Sequence, residues 1–351
     1  MNLADGAPAQ GAPPAPSRPR YLLFSVDTEP DDPQWRGLGD GPWSHENLRG
    51  IPELQARLNA LGVKATYLIT HSVSEQGRLE EALGRELASG TCEAGTHFHP
   101  GDTPPFPKPA RGREGDGDNI LRVPDGMLAE KFARLHSEIA SRFGRPTVHR
   151  AGAWAMDKRL TALLVAHGYR VDSSVTPGIS WKRNGRPDYL GAPMRAYPLG
   201  LGDPAEPGDS GILEVPVSIR IPRRWQGTVA GALVGDLLTM PLAARDSLPV
   251  RIVRALRPEP PRWLRPAFGK PEGLPGMIRW FEAEGCDYLQ VMCHSNELWP
   301  GTSPYSRTRA DLDIFYANLE SILREALSQG YTPVTLSAYA EAHRSAAPAA
   351  S

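Results

Sequence analysis

Cysteine is scarce in this 351-residue chain: Cys92, Cys286 and Cys293 are odd in number and lack paired spacing, which excludes a disulfide framework and a thiolate zinc site. A reducing compartment fits. No uncharged apolar run reaches the roughly 18 to 20 residues that a bilayer-spanning helix needs. The N-terminal stretch MNLADGAPAQGAPPAPSRPR also lacks the apolar core of a signal peptide. Its Pro, Ala and Gly content buries too little surface to fold, so residues 1–19 are expected to be a disordered tail. These absences predict a soluble, cytoplasmic protein. An excess of one charge is missing too, with 39 basic residues against 40 acidic. That balance removes the whole-protein field that draws proteins to nucleic acid.

What is present is a regular alternation of strand and helix signals. Tyr21 to Val26 is a β-prone apolar run that ends in Asp27-Thr28-Glu29, the pattern of a buried strand opening into a polar loop. Leu48, Ile51, Leu54, Leu58 and Leu61 follow at helical spacing, and Lys64 to Thr70 returns to β character. Further strands are predicted at 92–96, 147–149, 169–171, 212–219, 288–292 and 332–336, with helices at 78–88, 127–143, 157–167 and 308–328. Such alternation predicts one α/β domain over residues 20–345 with a mainly parallel sheet, open or closed into a barrel. The stretch 186–275 carries one clear strand and reads as a long insertion, a lid or substrate-binding flap.

Polar clusters fall just after these strands: Asp27 and Glu29; His97 and His99; Arg150 with Trp154; Asp172 with Ser173 and Ser174; His294 with Asn296 and Glu297. In parallel α/β folds catalytic groups converge on that edge. His97-Phe98-His99 puts two imidazoles on the same side of an extended segment, because side chains alternate with period two. Two imidazoles and one carboxylate, from Asp27 or Glu29, can meet on one ion and leave positions open for water. Hydrolysis at such an ion needs a base for the water's proton and an acid for the leaving nitrogen, tasks that suit Asp27 and His294.

SVDTE at 25–29, EAGTHFHPGD at 93–102, HRAGAWAMD at 149–157, RVDSSVTPG at 170–178 and MCHSNELWPG at 292–301 resemble, in order, the motifs of the polysaccharide deacetylase family. This is the carbohydrate esterase family 4, or NodB-homology type, and the chain reads as a divergent member. The resemblance implies a distorted (β/α) barrel, a divalent metal, and removal of an N-acetyl group from an amino sugar. By the same resemblance Asp27 is the base and Arg150 orients it. His294 is the proton donor and Asp172 the acid that tunes it. Trp154 forms the wall beside the base, and Ser173 and Ser174 border the acyl pocket with it. Thr28 stands where the family's commonest form has a second acid, so Glu29 is the substitute metal ligand. His97 is the firmer imidazole ligand and His99 the weaker, because the family usually spaces its histidines more widely. Asn296 and Glu297 are expected at the substrate.

Zn²⁺ suits this donor set, while Mn²⁺, Co²⁺ and Ni²⁺ accept similar ligands. Two other readings stay open: a deformylase or other amidase on the same fold, and an inactive sugar-binding barrel. The expected partner is an N-acetylated amino sugar, free or lipid-linked. Between Arg245 and Lys270, basic and apolar residues are interleaved. This is a composition for peripheral contact with the inner face of a membrane, or for a solvated flap packed on the barrel.

Overall fold

The computed structural model describes residues 19–33, 35–36, 38, 41–106, 119–221, 261–268 and 273–346. The first strand, β1 (Tyr21–Thr28), is buried on both faces, as expected of a parallel strand covered on each side. Leu22, Phe24 and Val26 pack toward the helices, while Ser25 and Asp27 face the inside of the sheet, where both meet Arg150. After α1 (Ile51–Ala60) come β2 (Ala65–Ile69), the short α2 (His71–Ser74), α3 (Gly77–Ser89), β3 (Cys92–Phe98), α4 (Asp125–Phe143), β4 (Val148–Ala151), α5 (Lys158–Ala166) and β5 (Val171–Asp172). Short strands β6 (Tyr197–Pro198), β7 (Leu213–Glu214), β8 (Ile219–Arg220) and β9 (Arg262–Trp263) follow. Then come α6 (Leu274–Ala283), β10 (Tyr288–His294), α7 (Arg309–Ser328), β11 (Thr332–Pro333) and α8 (Leu336–Ala346).

The helix ends follow local chemistry. Asp157 caps α5 by accepting from the amides of Arg159 and Leu160, and Thr308 with Asp311 forms a reciprocal capping box on α7. Each cap is worth about 1 kcal/mol. Gly90 ends α3 in the left-handed region (φ 69°), which glycine adopts without steric cost.

The sheet runs β10-β1-β2-β3-β4-β5-β7-β6, all parallel except the final β7/β6 pair, with β11 added beside β1. It curls into a distorted barrel. No continuous ladder closes it among the described residues. Instead, residues 215–219 cross the gap: Tyr288 donates its hydroxyl to the Pro216 carbonyl, and the Gln290 amide donates to Ser218 Oγ. Leu264 then bridges the Ser218 carbonyl to the Met292 amide.

The expected strand over 212–219 is in fact two, because Pro216 cannot donate to a ladder and the chain changes neighbours there. The expected strand 332–336 stops at Pro333, and α8 begins at Leu336. The described parts of 186–275 hold more order than expected, namely β6 to β9 and the start of α6. Much of the basic stretch 245–270 lies outside the described residues. Within it, Leu264 and Arg265 are buried against the barrel, not at a surface that could meet lipid headgroups. No described helix is long and apolar enough to cross a membrane.

Behind β4 the helical layer buries a knot of imidazoles. His149 is fully buried with Nδ1 2.9 Å from Thr96 Oγ1, and the rings of His136 and His167 meet at 4.7 Å, tilted by 52°. Burial pushes all three below their ordinary value of 6.5, helped at His149 by the His97 and Arg150 charges and at His136 by His167 and Arg145. The unfolded chain takes up protons near pH 6.5 that the fold refuses, so this stability is complete above that pH and is lost as the pH falls through it. Each unit below 6.5 costs up to about 1.4 kcal/mol per imidazole that stays neutral. Urea midpoints should therefore drop between pH 8 and pH 5.5, and His149→Gln should shrink the drop; an undiminished drop in that variant would remove His149 as a cause.

Candidate functional site

Strand register decides which side chains can meet. Asp27 of β1 lies opposite His294 of β10, and His97 of β3 lies opposite Arg150 of β4. All four stand at the C-terminal ends of parallel strands, and Asp27, His97 and His294 line a cavity of about 280 Å³ together with Glu29, His99 and Trp154.

Arg150 is fully buried, and its guanidinium is held on three sides. It donates to Asp27 Oδ1 at 2.5 Å, to the Ser173 carbonyl and hydroxyl at 2.8 Å each, and to Ser25 Oγ at 3.1 Å. Burial alone would raise the Asp27 carboxyl, but Arg150, then His97 and His294, outweigh it and hold Asp27 below its ordinary 3.8. The Trp154 ring lies over the same guanidinium at 5.4 Å. Ala153 and Trp154 carry φ values of 51° and 61°, strained for residues with a Cβ. The surroundings enforce that turn, with Tyr189 donating its hydroxyl to the Trp154 carbonyl at 2.7 Å.

Glu29, His97 and His99 form the one cluster of at least three potential metal ligands among the described residues. The two Nε2 atoms are 3.1 Å apart, and Glu29 Oε2 lies 3.7 Å from His97 Nε2 and 3.4 Å from His99 Nε2. Such spacings match the edges of a tetrahedron whose centre is roughly 2.0 to 2.2 Å from each donor, the bond lengths of zinc with nitrogen and oxygen. Nδ1 of His97 sits 3.1 Å from the Arg150 carbonyl, which fixes the tautomer with Nδ1 protonated and turns the Nε2 lone pair to the cluster. Burial would raise Glu29, but His294, His97 and His99 hold it well below its ordinary 4.5. A cation at this point would act in the same sense. The residues fit a divalent metal.

Thr28, by contrast, is buried and turns its hydroxyl back to the Val26 carbonyl at 3.1 Å, so Glu29 alone of that pair reaches the imidazoles. The short spacing that made His99 the weaker candidate is accommodated at Gly152. A Cβ there would lie 2.5 to 2.6 Å from the His99 ring, well inside contact distance.

Several other expectations are corrected. Asp172 does not meet His294. It is fully buried on β5, accepts from Ser174 Oγ at 2.7 Å, and lies opposite the carboxyl of Glu214, its register neighbour on β7. Burial raises both carboxyls, and the Asp172 charge raises Glu214 further. Ser173 and Ser174 do not border the cavity; fully buried, they serve Arg150 and the Ala151 amide. Glu297 is also fully buried and pairs with Arg265, while Asn296 touches the cavity but donates to the Pro30 carbonyl at 3.1 Å.

Sequence reasoning missed Trp35, Trp43, Asp32, Asp102 and Arg186 at the cavity. Trp35 and Trp43 lie in the loop directly after β1, a position that could have marked them. The Trp35 ring lies 5.4 Å from that of His294, tilted by 38°. Asp102 is nearly fully buried; Oδ2 accepts from the Ser72 amide at 2.8 Å, and among the described residues Oδ1 has no hydrogen-bond partner.

No protein-family model and no curated protein matches the chain. Among solved structures, a protein from Mycobacterium smegmatis described as a polysaccharide deacetylase aligns over 98% of this chain and 96% of its own, with TM-score 0.50 and 16% identity. A protein from Parabacteroides distasonis described as a glycoside hydrolase/deacetylase aligns over 93% of this chain and 71% of its own, with TM-score 0.52 and 11% identity. The chain has the polysaccharide-deacetylase fold. At these identities the likeness concerns the path of the backbone, and in this deacetylase fold the chemistry must be read from the side chains.

Gly152→Ala should displace the His99 ring and weaken metal affinity on the order of 10- to 100-fold. Titration with Zn²⁺ against a competing chelator measures this. Wild-type affinity in the variant would show that His99 does not depend on the space at Gly152.

Proposed function

We propose that the protein is a metal-dependent carbohydrate deacetylase that hydrolyses the N-acetyl group of an amino sugar. The observation that carries this reading is the convergence of a two-imidazole, one-carboxylate cluster, a buried Asp27–Arg150 pair and His294 on one tryptophan-walled cavity. A metal held by Glu29, His97 and His99 would supply Lewis acidity toward the acyl oxygen and acidity to the attacking water.

The chain's own residues supply the rest. Asp27, kept ionised by Arg150, takes the proton from water as its oxygen bonds to the acyl carbon. His294 Nε2, 3.8 Å from Asp27 Oδ2, gives a proton to the sugar nitrogen as the C–N bond breaks. Acetate and a free amine leave, and solvent returns Asp27 and His294 to their starting forms. Trp154 and Trp35 offer flat apolar faces to a sugar ring, whose C–H faces favour aromatic planes. Trp154, Asn296 and Asp102 are the side chains that support substrate contact in this reading.

Acetate release should be measured on N-acetylated monosaccharides, nucleotide sugars and lipid-linked sugars, with formate release from N-formyl analogues alongside. Asp27→Asn should keep its metal and lose roughly 10²- to 10⁴-fold in turnover, the range for a general acid-base group. Folding must be checked, since Arg150 loses its countercharge. His97→Ala should lose the metal itself. Near wild-type turnover in a folded, metal-loaded Asp27 variant would rule out the base, and release of formate in place of acetate would rule out the N-acetyl reading.

A further inference from the structure

The imidazole of His294 is gripped from behind. Its Nε2 faces the cavity, 3.8 Å from Asp27 Oδ2 and 3.9 Å from Glu29 Oε1. Its Nδ1 points the other way, 3.4 Å from Glu297 Oε1, an ion-pair contact without the alignment of a hydrogen bond, and among the described residues no other group bonds this nitrogen. Glu297 sits three residues further on in the short 3₁₀ turn Ser295–Leu298 that follows β10, and it is fully buried.

A buried carboxylate needs a countercharge. Arg265 provides it through NH2, on the same Oε1 that faces His294. Burial would raise the Glu297 carboxyl, yet Arg265 and His294 hold it below its ordinary 4.5. Arg265 is itself fixed, its guanidinium lying over the Phe268 ring at 4.4 Å and the Tyr305 ring at 5.5 Å. Trp35 closes on the His294 ring from another side. Asp172 has no route to this imidazole. It stands on β5, beyond β4 and engaged with Ser174 and Glu214, whereas His294 ends β10 beside β1.

We infer that Glu297, backed by Arg265, is the positioning residue of His294, holding the ring by Nδ1 so that Nε2 faces the reacting nitrogen. The inference rests on the reading of His294 as proton donor. It transfers to Glu297 the part that the sequence pattern had given to Asp172. A carboxylate that accepts from one ring nitrogen sets the direction of the other, as orienting carboxylates do in hydrolytic triads and metal sites.

The test uses Glu297→Asp, which keeps the charge at shorter reach, and the double variant Arg265→Met/Glu297→Leu, which removes both charges and strands neither. Asp172→Asn tests the rival assignment. Each is assayed on an N-acetyl amino sugar, whose nitrogen must be protonated to leave, and on an acetyl ester of an activated phenol, whose leaving group needs no proton. The amide-to-ester rate ratio should fall in the double variant on the order of 10- to 100-fold, the scale of losing an orienting partner. KM for the amide should stay nearly constant. Glu297→Asp should recover part of the loss, and Asp172→Asn should leave the ratio where it was.

A second readout needs no turnover. In the metal-free protein, ¹⁵N multiple-bond spectra should show His294 with Nδ1 protonated, and that preference should be lost in the double variant. An unchanged ratio in the folded double variant, an unchanged imidazole spectrum, or a fallen ratio in Asp172→Asn would each overturn the assignment. If the wild-type protein releases acetate from no amino sugar, the deacetylase reading fails, while the spectra still decide whether Glu297 orients the ring.

Discussion

The buried pair between Arg150 and Asp27 is the constraint on which the site is arranged. Taking both charges out of water costs several kcal/mol per ion, and attraction across 2.5 Å repays this only if the other guanidinium donors are also satisfied. The strands meet that condition with Ser25 from β1 and Ser173 after β5. Ser174 braces the neighbouring Ala151 amide, and the Asp172–Glu214 pair stands behind it with both carboxyls raised by burial. Replacing a buried ion pair by apolar groups of the same volume is often neutral or stabilising. The polar network therefore reads as stability given up to keep one carboxylate ionised beside a cluster of potential metal ligands.

Much of this was legible in the chain. Strand periodicity and turn residues located most of the strands, and side-chain alternation placed His97 and His99 on one side. Asp27, Glu29, Arg150 and His294 announced themselves as charged or imidazole groups where apolar runs stop. What stayed hidden depends on curvature. Glu297 stands only three residues after His294, within local reach of the ring, whereas the sheet order is what keeps Asp172 on β5 away from it, and one sequence does not encode that order in any local period. Ser173 and Ser174 were misread for a related reason: a small polar residue after a strand can face a cavity or an arginine behind it, and spacing does not distinguish the two. Arg265 carried no signal, since its partner lies 32 positions away. Pro216 did carry one, and its missing donor splits what the apolar pattern joined.

Departures from regular geometry gather at the same end of the barrel. Ala153 and Trp154 occupy left-handed backbone without being glycine, while Gly152 beside them is needed for lack of a side chain. The three residues form one short turn that brings the indole over Arg150 and leaves room for the His99 ring. Away from this turn the described residues with positive φ are glycines. Strain confined to a few residues at the cavity, within an otherwise relaxed barrel, is the distribution expected when local irregularity serves a site.

The seam of the barrel bears on how such a protein can diversify. Ile219 and Arg220 pair antiparallel with Trp263 and Arg262, so the chain leaves and re-enters the barrel at adjacent points. Joining two points already held together costs entropy that grows only with the logarithm of loop length, about 0.6 kcal/mol per doubling. By this scaling, a change in the number of residues joining Ile221 to Pro261 would cost the rest of the fold little. The frame that holds Asp27, His97 and His294 would not register the change, provided the returning strand still delivers Arg265.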